Sequence, residues 1–302
     1  MQEVLIFANP IAGKGRGERI ANRIAARVVQ ANFRPVVIFD RADTLDPAKF
    51  KRADHRAAVV IGGDGTLRTV CDSLVRILGP ELVPPIVVVP MGTANLMGQH
   101  LDVNWRDRNI DTRVVEAILA NKIVNLDVAR ANEKLFLLMV GVGIDAQIVH
   151  ELDRIREGPI DLTSYILPTA MALQSYTYPS IEVTVDGRRV FPMGPGIVFV
   201  GNVREYGAGF SVLTQARSDD GLLDVCVLPI RSRQDALKMT LLTAAGEHLE
   251  AEGVVYVKGK HIRIDTPEPV PVQVDGDPGG HTPVSIDLLP FRLPFIVPPA
   301  KV

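Results

Sequence analysis

The chain has 302 residues, 47% hydrophobic and 23% charged, which is enough apolar material for two packed domains and excludes disorder as a description of the whole. Its formal net charge of -2 at pH 7 argues against a dedicated nucleic-acid binder. Two cysteines far apart in sequence, Cys71 and Cys226, offer neither a disulfide framework nor a metal-ligand spacing and fit a reducing compartment.

Val4 to Ala8 reads as a short apolar strand, followed by a glycine-rich turn and by helical spacing from Glu18 to Gln30. Pro35 to Phe39 and Ala57 to Ile61 predict a second and a third strand, the latter leading into a helix that ends near Leu78. Ile86 to Val89 predicts a fourth strand and Arg113 to Ala120 a further helix. Val- and Ile-rich strands alternating with helices are the pattern of a parallel sheet covered on both faces. From Ile123 to about Leu289 the apolar runs become short and turn-bounded, among them Val124 to Ala129, Leu135 to Val140, Ile181 to Val185, Leu223 to Leu228 and Val270 to Val274. Asp186-Gly187 between two runs predicts a hairpin, and helices are expected around Asp161 to Tyr176 and Ser232 to Thr243. This second pattern is that of an antiparallel sandwich or barrel. The expected division is residues 1–125, residues 126–289, and a proline-rich tail over 290–302 that packs back on the first domain.

Leu135 to Ile144, the longest apolar and glycine run, is about half of the ~20 residues needed to cross a bilayer, and Met-Gln-Glu-Val at the start begins no signal peptide. The expectation is a cytoplasmic protein. A mean hydropathy of +0.17 leaves room for contact with a membrane surface.

Three glycine-rich turns follow three strands of the first domain: Asn9-Pro10-Ile11-Ala12-Gly13-Lys14-Gly15, Gly62-Gly63-Asp64-Gly65-Thr66 and Pro90-Met91-Gly92-Thr93-Ala94-Asn95. In an open parallel sheet all three lie at the carboxyl edge, where ligands bind. Glycines let backbone N–H groups approach an anion, the helix behind each turn adds its positive end, and Thr66 and Thr93 add hydroxyls. One such turn is commonly just a turn; three in series suit a nucleotide phosphate tail. The first is not a Walker A loop, and its Gly13, Gly15, Gly17 spacing is not the dinucleotide fingerprint. Asp64 among the glycines would hold Mg²⁺ against the phosphates, partly through water, or would cap a helix. Asp275 and Asp277 around Gly276 read as an acid pair or a plain hairpin, and Asp219, Asp220 and Asp224 as a hard-cation site or a solvated acidic turn. Lys14, Arg16, Arg19, Arg23, Arg27 and Arg34 form a solvated helix face or steer ATP and anionic headgroups. The histidines have no zinc-like spacing, and no Gly-x-Ser-x-Gly nucleophile turn occurs.

The three turns resemble the nucleotide-binding motifs of the diacylglycerol kinase catalytic-domain family, which includes bacterial lipid kinases and sphingosine kinases. The likeness continues through Gly141-Val142-Gly143-Ile144-Asp145-Ala146, Gly201-Asn202, Asp219-Asp220-Gly221-Leu222-Leu223-Asp224 and Val274-Asp275-Gly276-Asp277, covering nearly the whole chain in the family's order. The resemblance implies an α/β fold: an N-terminal Rossmann-like parallel nucleotide domain, a C-terminal β-rich sandwich or barrel, and an active site in the interdomain cleft. It implies ATP and Mg²⁺ as cofactors and transfer of the γ-phosphate to a lipid hydroxyl, most simply that of diacylglycerol. Asn9, Pro10, Gly13, Lys14, Gly62, Gly63, Gly65, Thr66, Gly92, Thr93 and Asn95 would hold the nucleotide, and Asp64 its metal. Asp275 would be the proton acceptor with Asp277 as second candidate, because the family's usual glutamate is here the shorter Asp277. Asp220, the Leu222 carbonyl and the position of Arg217 would hold a structural Mg²⁺. Apolar residues from Leu162 to Tyr178 would receive acyl chains. Arg68, Leu96, Met97 and the segment Leu213 to Ala216 also depart from the usual pattern. The expected partners are a membrane lipid met peripherally, no nucleic acid, and a second copy of the chain in a homodimer. Alternatives are an NAD-kinase-like enzyme of a soluble substrate and a catalytically weak nucleotide or lipid sensor.

Overall fold

A computed structural model describes residues 1–9, 12–40, 44–45, 50, 54–105, 107–154 and 176–299. Pro10, nearly all of the helix expected from Asp161 to Tyr176 and most of the proposed acyl-chain segment lie outside these residues, and Lys14 is described in its backbone alone. In chain order the first elements are β1 (Glu3–Ala8), α1 (Ala12–Gly15), α2 (Gly17–Gln30), β2 (Arg34–Ile38), β3 (His55–Gly62), α3 (Asp64–Leu78), β4 (Ile86–Pro90), α4 (Leu96–His100) and α5 (Ile110–Ala120). Then come β5 (Ile123–Ala131), β6 (Lys134–Phe136), β7 (Met139–Val142), α6 (Ile144–Arg154), β8 (Ser180–Val185), β9 (Arg188–Gly201) and β10 (Leu223–Pro229). The chain closes with α7 (Arg233–Ala245), β11 (Val255–Gly259), β12 (His261–Asp265), β13 (Pro271–Val274), β14 (Asp277–His281) and β15 (Val284–Ile296). Two compact units result, Met1–Leu126 with Phe291–Val302, and Asp127–Pro290.

In the first unit the strands run parallel in the order β2-β1-β3-β4. The chain leaves β1 in one direction toward β2 and in the other toward β3, so the order reverses there. In open parallel sheets such a reversal marks the strand carboxyl ends as the usual ligand position. Strands β3 and β4 are apolar on both sides because helices cover both faces. Helix α2 turns Ile20, Ala21, Ile24 and Val28 inward, and α5 adds Val114, Val115, Ala117 and Ile118 to the same core. Within the stretch expected as a tail, residues 290–296 belong to β15: Phe295 pairs in parallel with Ile86, and Leu293, Phe295 and Ile296 are buried.

The second unit is antiparallel. Strand β8 alternates buried and half-buried residues, the pattern of a sheet with one face on a core. Strand β9 pairs at its start with β8 and at its end with β7 and β10. Asp186-Gly187 joins β8 to β9 as a tight turn. The run Leu135 to Val140, read as one strand, is broken into β6 and β7 at Leu137 and Leu138, and the cause is a carboxylate described below.

Candidate active site

The three turns leave the carboxyl ends of β1, β3 and β4, which are neighbours in the sheet. Backbone bonds tie them to one another: Asn9 N donates to Ile61 O at 3.2 Å, and Met91 N to Gly62 O at 2.8 Å. The second and third turns then approach so closely that a Cβ on Gly92 would lie 2.6 Å from Gly63 Cα. Only residues without a side chain allow that contact. Within the first turn, Arg16 Nε donates to the Gly13 carbonyl at 2.9 Å.

Asp64 is the residue that cinches this arrangement. It opens α3, but it does not cap that helix, whose N-cap is Gly63. Its carboxylate instead reaches across to α4, where Oδ2 accepts from Leu96 N at 3.0 Å and Oδ1 from Met97 N at 3.1 Å. Burial pushes its carboxyl above the ordinary value, against the amide hydrogen bonds from Leu96 and Met97. The third turn is closed by Asn95, which accepts from Gly92 N at 2.7 Å, donates to Gly92 O at 2.8 Å and takes a left-handed φ of 52°. Its side chain therefore shapes the turn instead of reaching outward. Gly65 and Thr66 lie in the first turn of α3, where N–H groups have no helical acceptor and can receive an anion. Thr93 is exposed at the tip of the third turn.

In the second unit, Asp275 and Gly276 have φ of 51° and 81° and join β13 to β14, with Val274 opposite Asp277. That is a two-residue hairpin turn. The Asp275 carboxylate is buried and accepts three backbone N–H groups: Leu137 at 2.9 Å on Oδ2, and Leu138 at 2.9 Å and Met139 at 3.0 Å on Oδ1. This is what bends the chain between β6 and β7. It makes Asp275 an anchor with three of its roughly four acceptor sites engaged, which sits poorly with its expected role as proton acceptor. Asp277, half-buried, begins β14 just past the turn.

A second anchor reaches the same hairpin. Asp145 Oδ2 accepts from Gln273 Nε2 at 3.1 Å, and Gln273 Oε1 accepts from Gly276 N at 2.9 Å. The Tyr206 hydroxyl donates to Asp145 Oδ1. Burial pushes the Asp145 carboxyl up to about 6, in spite of the Gln273 hydrogen bond. A Cβ on Gly141 would lie 2.2 Å from Asp145 Oδ2, which explains the glycine that opens this motif. The Gly201-Asn202 pair has a structural part too, since Asn202 Nδ2 donates to Asp127 O at 2.6 Å while Asp127 Oδ2 accepts from Gly221 N at 2.7 Å.

The residues implied for a structural Mg²⁺ do not fit one. Asp220 faces the ammonium of Lys258, with Nζ 2.9 Å from Oδ2, and its Oδ1 accepts from the amide of Leu222 at 3.1 Å. Arg217 lies largely in solvent, its guanidinium 3.4 Å from Asp219 Oδ1. Among the described residues, no group of three or more His, Cys, Asp and Glu side chains could hold a metal ion. A nucleotide-borne Mg²⁺ asks less of the protein, one or two carboxylates beside phosphate and water, and Asp64 fits that demand. Sequence reasoning missed Lys258, Gln273 and Tyr206. Lys258 carried no motif, and its pairing with the acidic turn is a matter of strand register.

Residues 3–131 match the diacylglycerol kinase catalytic domain, and residues 138–297 match the YegS C-terminal NAD kinase beta sandwich-like domain. A diacylglycerol kinase of Staphylococcus carnosus (strain TM300) is 26% identical over 93% of this chain and 90% of its own length. A diacylglycerol kinase of Bacillus subtilis (strain 168) is 20% identical over 100% of this chain and 98% of its own. A crystal structure of a diacylglycerol kinase from Bacillus anthracis str. Sterne superposes with a TM-score of 0.67 at 25% identity, covering 100% of this chain and 98% of that one. A parallel α/β unit with three glycine turns at one edge, followed by this β-sandwich type, defines a kinase of the lipid-kinase class. The chain belongs to the diacylglycerol kinase catalytic-domain family. Among the described residues no helix is long and apolar enough to cross a membrane.

Proposed function

We propose that the chain transfers the γ-phosphate of ATP to a lipid hydroxyl, most simply converting diacylglycerol to phosphatidic acid. The observation that carries this reading is the set of three turns at adjoining strand ends, cinched by Asp64 through the amides of Leu96 and Met97. Gly13, Gly63, Gly65, Thr66 and Thr93 hold phosphates, and Asp64 is the carboxylate for a nucleotide-borne Mg²⁺. When bound, that ion neutralises charge on the transferred phosphoryl group. Asp277 accepts the proton from the lipid hydroxyl, while Asp275 and Asp145 hold the hairpin that presents it. Asp277 is preferred over Asp275 because three amides already occupy the Asp275 carboxylate. The β-rich unit presents the lipid, and the protein meets the bilayer peripherally from the cytoplasm.

The test is transfer from radiolabelled ATP to diacylglycerol, phosphatidylglycerol, sphingosine, ceramide and NAD. Labelled phosphatidic acid is the expected product. Transfer to NAD without any lipid product would overturn the reading, and ATP binding without transfer to any acceptor would mark a sensor.

A further inference from the structure

Lys258 lies on β11 directly across the ladder from Asp224 on β10. Its ammonium is 2.9 Å from Asp220 Oδ2, 3.3 Å from Asp224 Oδ2 and 3.2 Å from the Gln215 carbonyl. An ammonium has three N–H donors; here two of them serve Asp220 and Gln215, and Asp224 Oδ2 faces the charge as an ion pair without a hydrogen bond. A tyrosine extends the network. Tyr256, two residues earlier on the same strand, donates to Asp224 Oδ1 at 2.7 Å and accepts from Gln215 N at 3.2 Å. The Asp224 side chain is fully buried, so its charge requires a partner close by.

We propose that Lys258 is a built-in cation for the Asp219–Asp224 turn, which it orders in place of a bound divalent ion. A divalent ion on Asp220 would have to share that carboxylate with an ammonium already in contact with it, and like charges at this separation repel strongly. Mg²⁺ also asks for near-octahedral oxygen ligands at ~2.0–2.1 Å, whereas the oxygens here stand at hydrogen-bond distance from a nitrogen. In this chain the need for a divalent ion is thereby confined to the nucleotide. Lys258 orders the turn in this way whether or not a lipid is the acceptor.

The experiment uses the full chain without nucleotide. Melting is followed in excess EDTA and in millimolar Mg²⁺, and Mn²⁺ binding is read by electron paramagnetic resonance. The wild type should melt at the same temperature in both buffers and hold no stoichiometric Mn²⁺. Lys258→Met should melt ~5–10 °C lower in EDTA, because it leaves a buried carboxylate unpaired. It should regain much of that loss in Mg²⁺, bind one Mn²⁺, and lose both effects when Asp220→Asn is added. One Mn²⁺ bound by the wild type and lost in Asp220→Asn would overturn the proposal, as would a Lys258→Met protein that melts like the wild type in EDTA. Should Lys258→Met not fold in either buffer, the wild-type Mn²⁺ measurement decides on its own.

Discussion

The two units build a common device, the tight turn, in different ways. In the first unit the turns are made by omission: Gly63 and Gly92 bring two backbones together, and one carboxylate, Asp64, ties the loops across the gap. In the second unit the turns are made by addition. Asp275, Asp145 and Asp127 each spend their oxygens on backbone or side-chain donors, and Asp220 with Asp224 surrounds an ammonium. A row of acidic residues in sequence therefore says little about free carboxylates. Burial makes an unpaired acid costly, so most of them are consumed in holding the chain.

The sharpest way to break this contrast is to separate the two acids of the hairpin. Asp277→Asn should lower kcat by ~10²–10⁴-fold with melting nearly unchanged, as for loss of a positioned base. Asp275→Asn should instead lower the free energy of unfolding by about 2–3 kcal/mol in a urea titration, because an amide cannot accept all three N–H groups. If Asp275→Asn leaves stability intact and abolishes turnover, the roles are reversed. Next in size is Gly92→Ala, whose methyl group meets the Gly63 backbone at 2.6 Å. It should cost about 1–3 kcal/mol and raise the KM for ATP; wild-type behaviour would show that the two turns can part without loss.

A further effect, of similar size at most, depends on pH. The folded Asp145 carboxyl titrates near 6, above its ordinary 3.8, so the folded state holds that proton more tightly than the unfolded chain does. Its contribution to stability is complete below the ordinary value and is lost as pH rises through about 6. Unfolding free energies across that window should fall for the wild type relative to Asp145→Asn by at most about 2–3 kcal/mol. Parallel curves for the two proteins would remove Asp145 from the account. The smallest change is Gly207→Ala, where an added Cβ meets nothing within 4 Å. Stability should stay within about 0.5 kcal/mol, in contrast to Gly92→Ala.

Much of this is legible in the sequence. The change from strand-helix alternation to short turn-bounded runs near residue 125 reflects local periodicity, and the structure divides between Leu126 and Asp127. The three glycine turns carry their chemistry in residue type alone, because missing side chains and helix starts are local properties. What could not be read was how each acidic residue is spent. Asp64 bonds to residues more than thirty positions away, and Asp275 to a bend 136 to 138 positions earlier.

Periodicity and turn chemistry are short-range, so the chain's own order of residues was sufficient for fold class, for the three glycine turns and for the family likeness. Strand register and loop approach are long-range, so tertiary structure alone decided that Asp275 anchors a bend and that Asn95 closes its own turn. It also decided that Lys258, which carries no motif, stands across from Asp224 where a metal ion had been expected. The physical reason is the same in each case. A charge or hydrogen-bonding group takes its meaning from whatever partner the fold brings within about 3 Å of it.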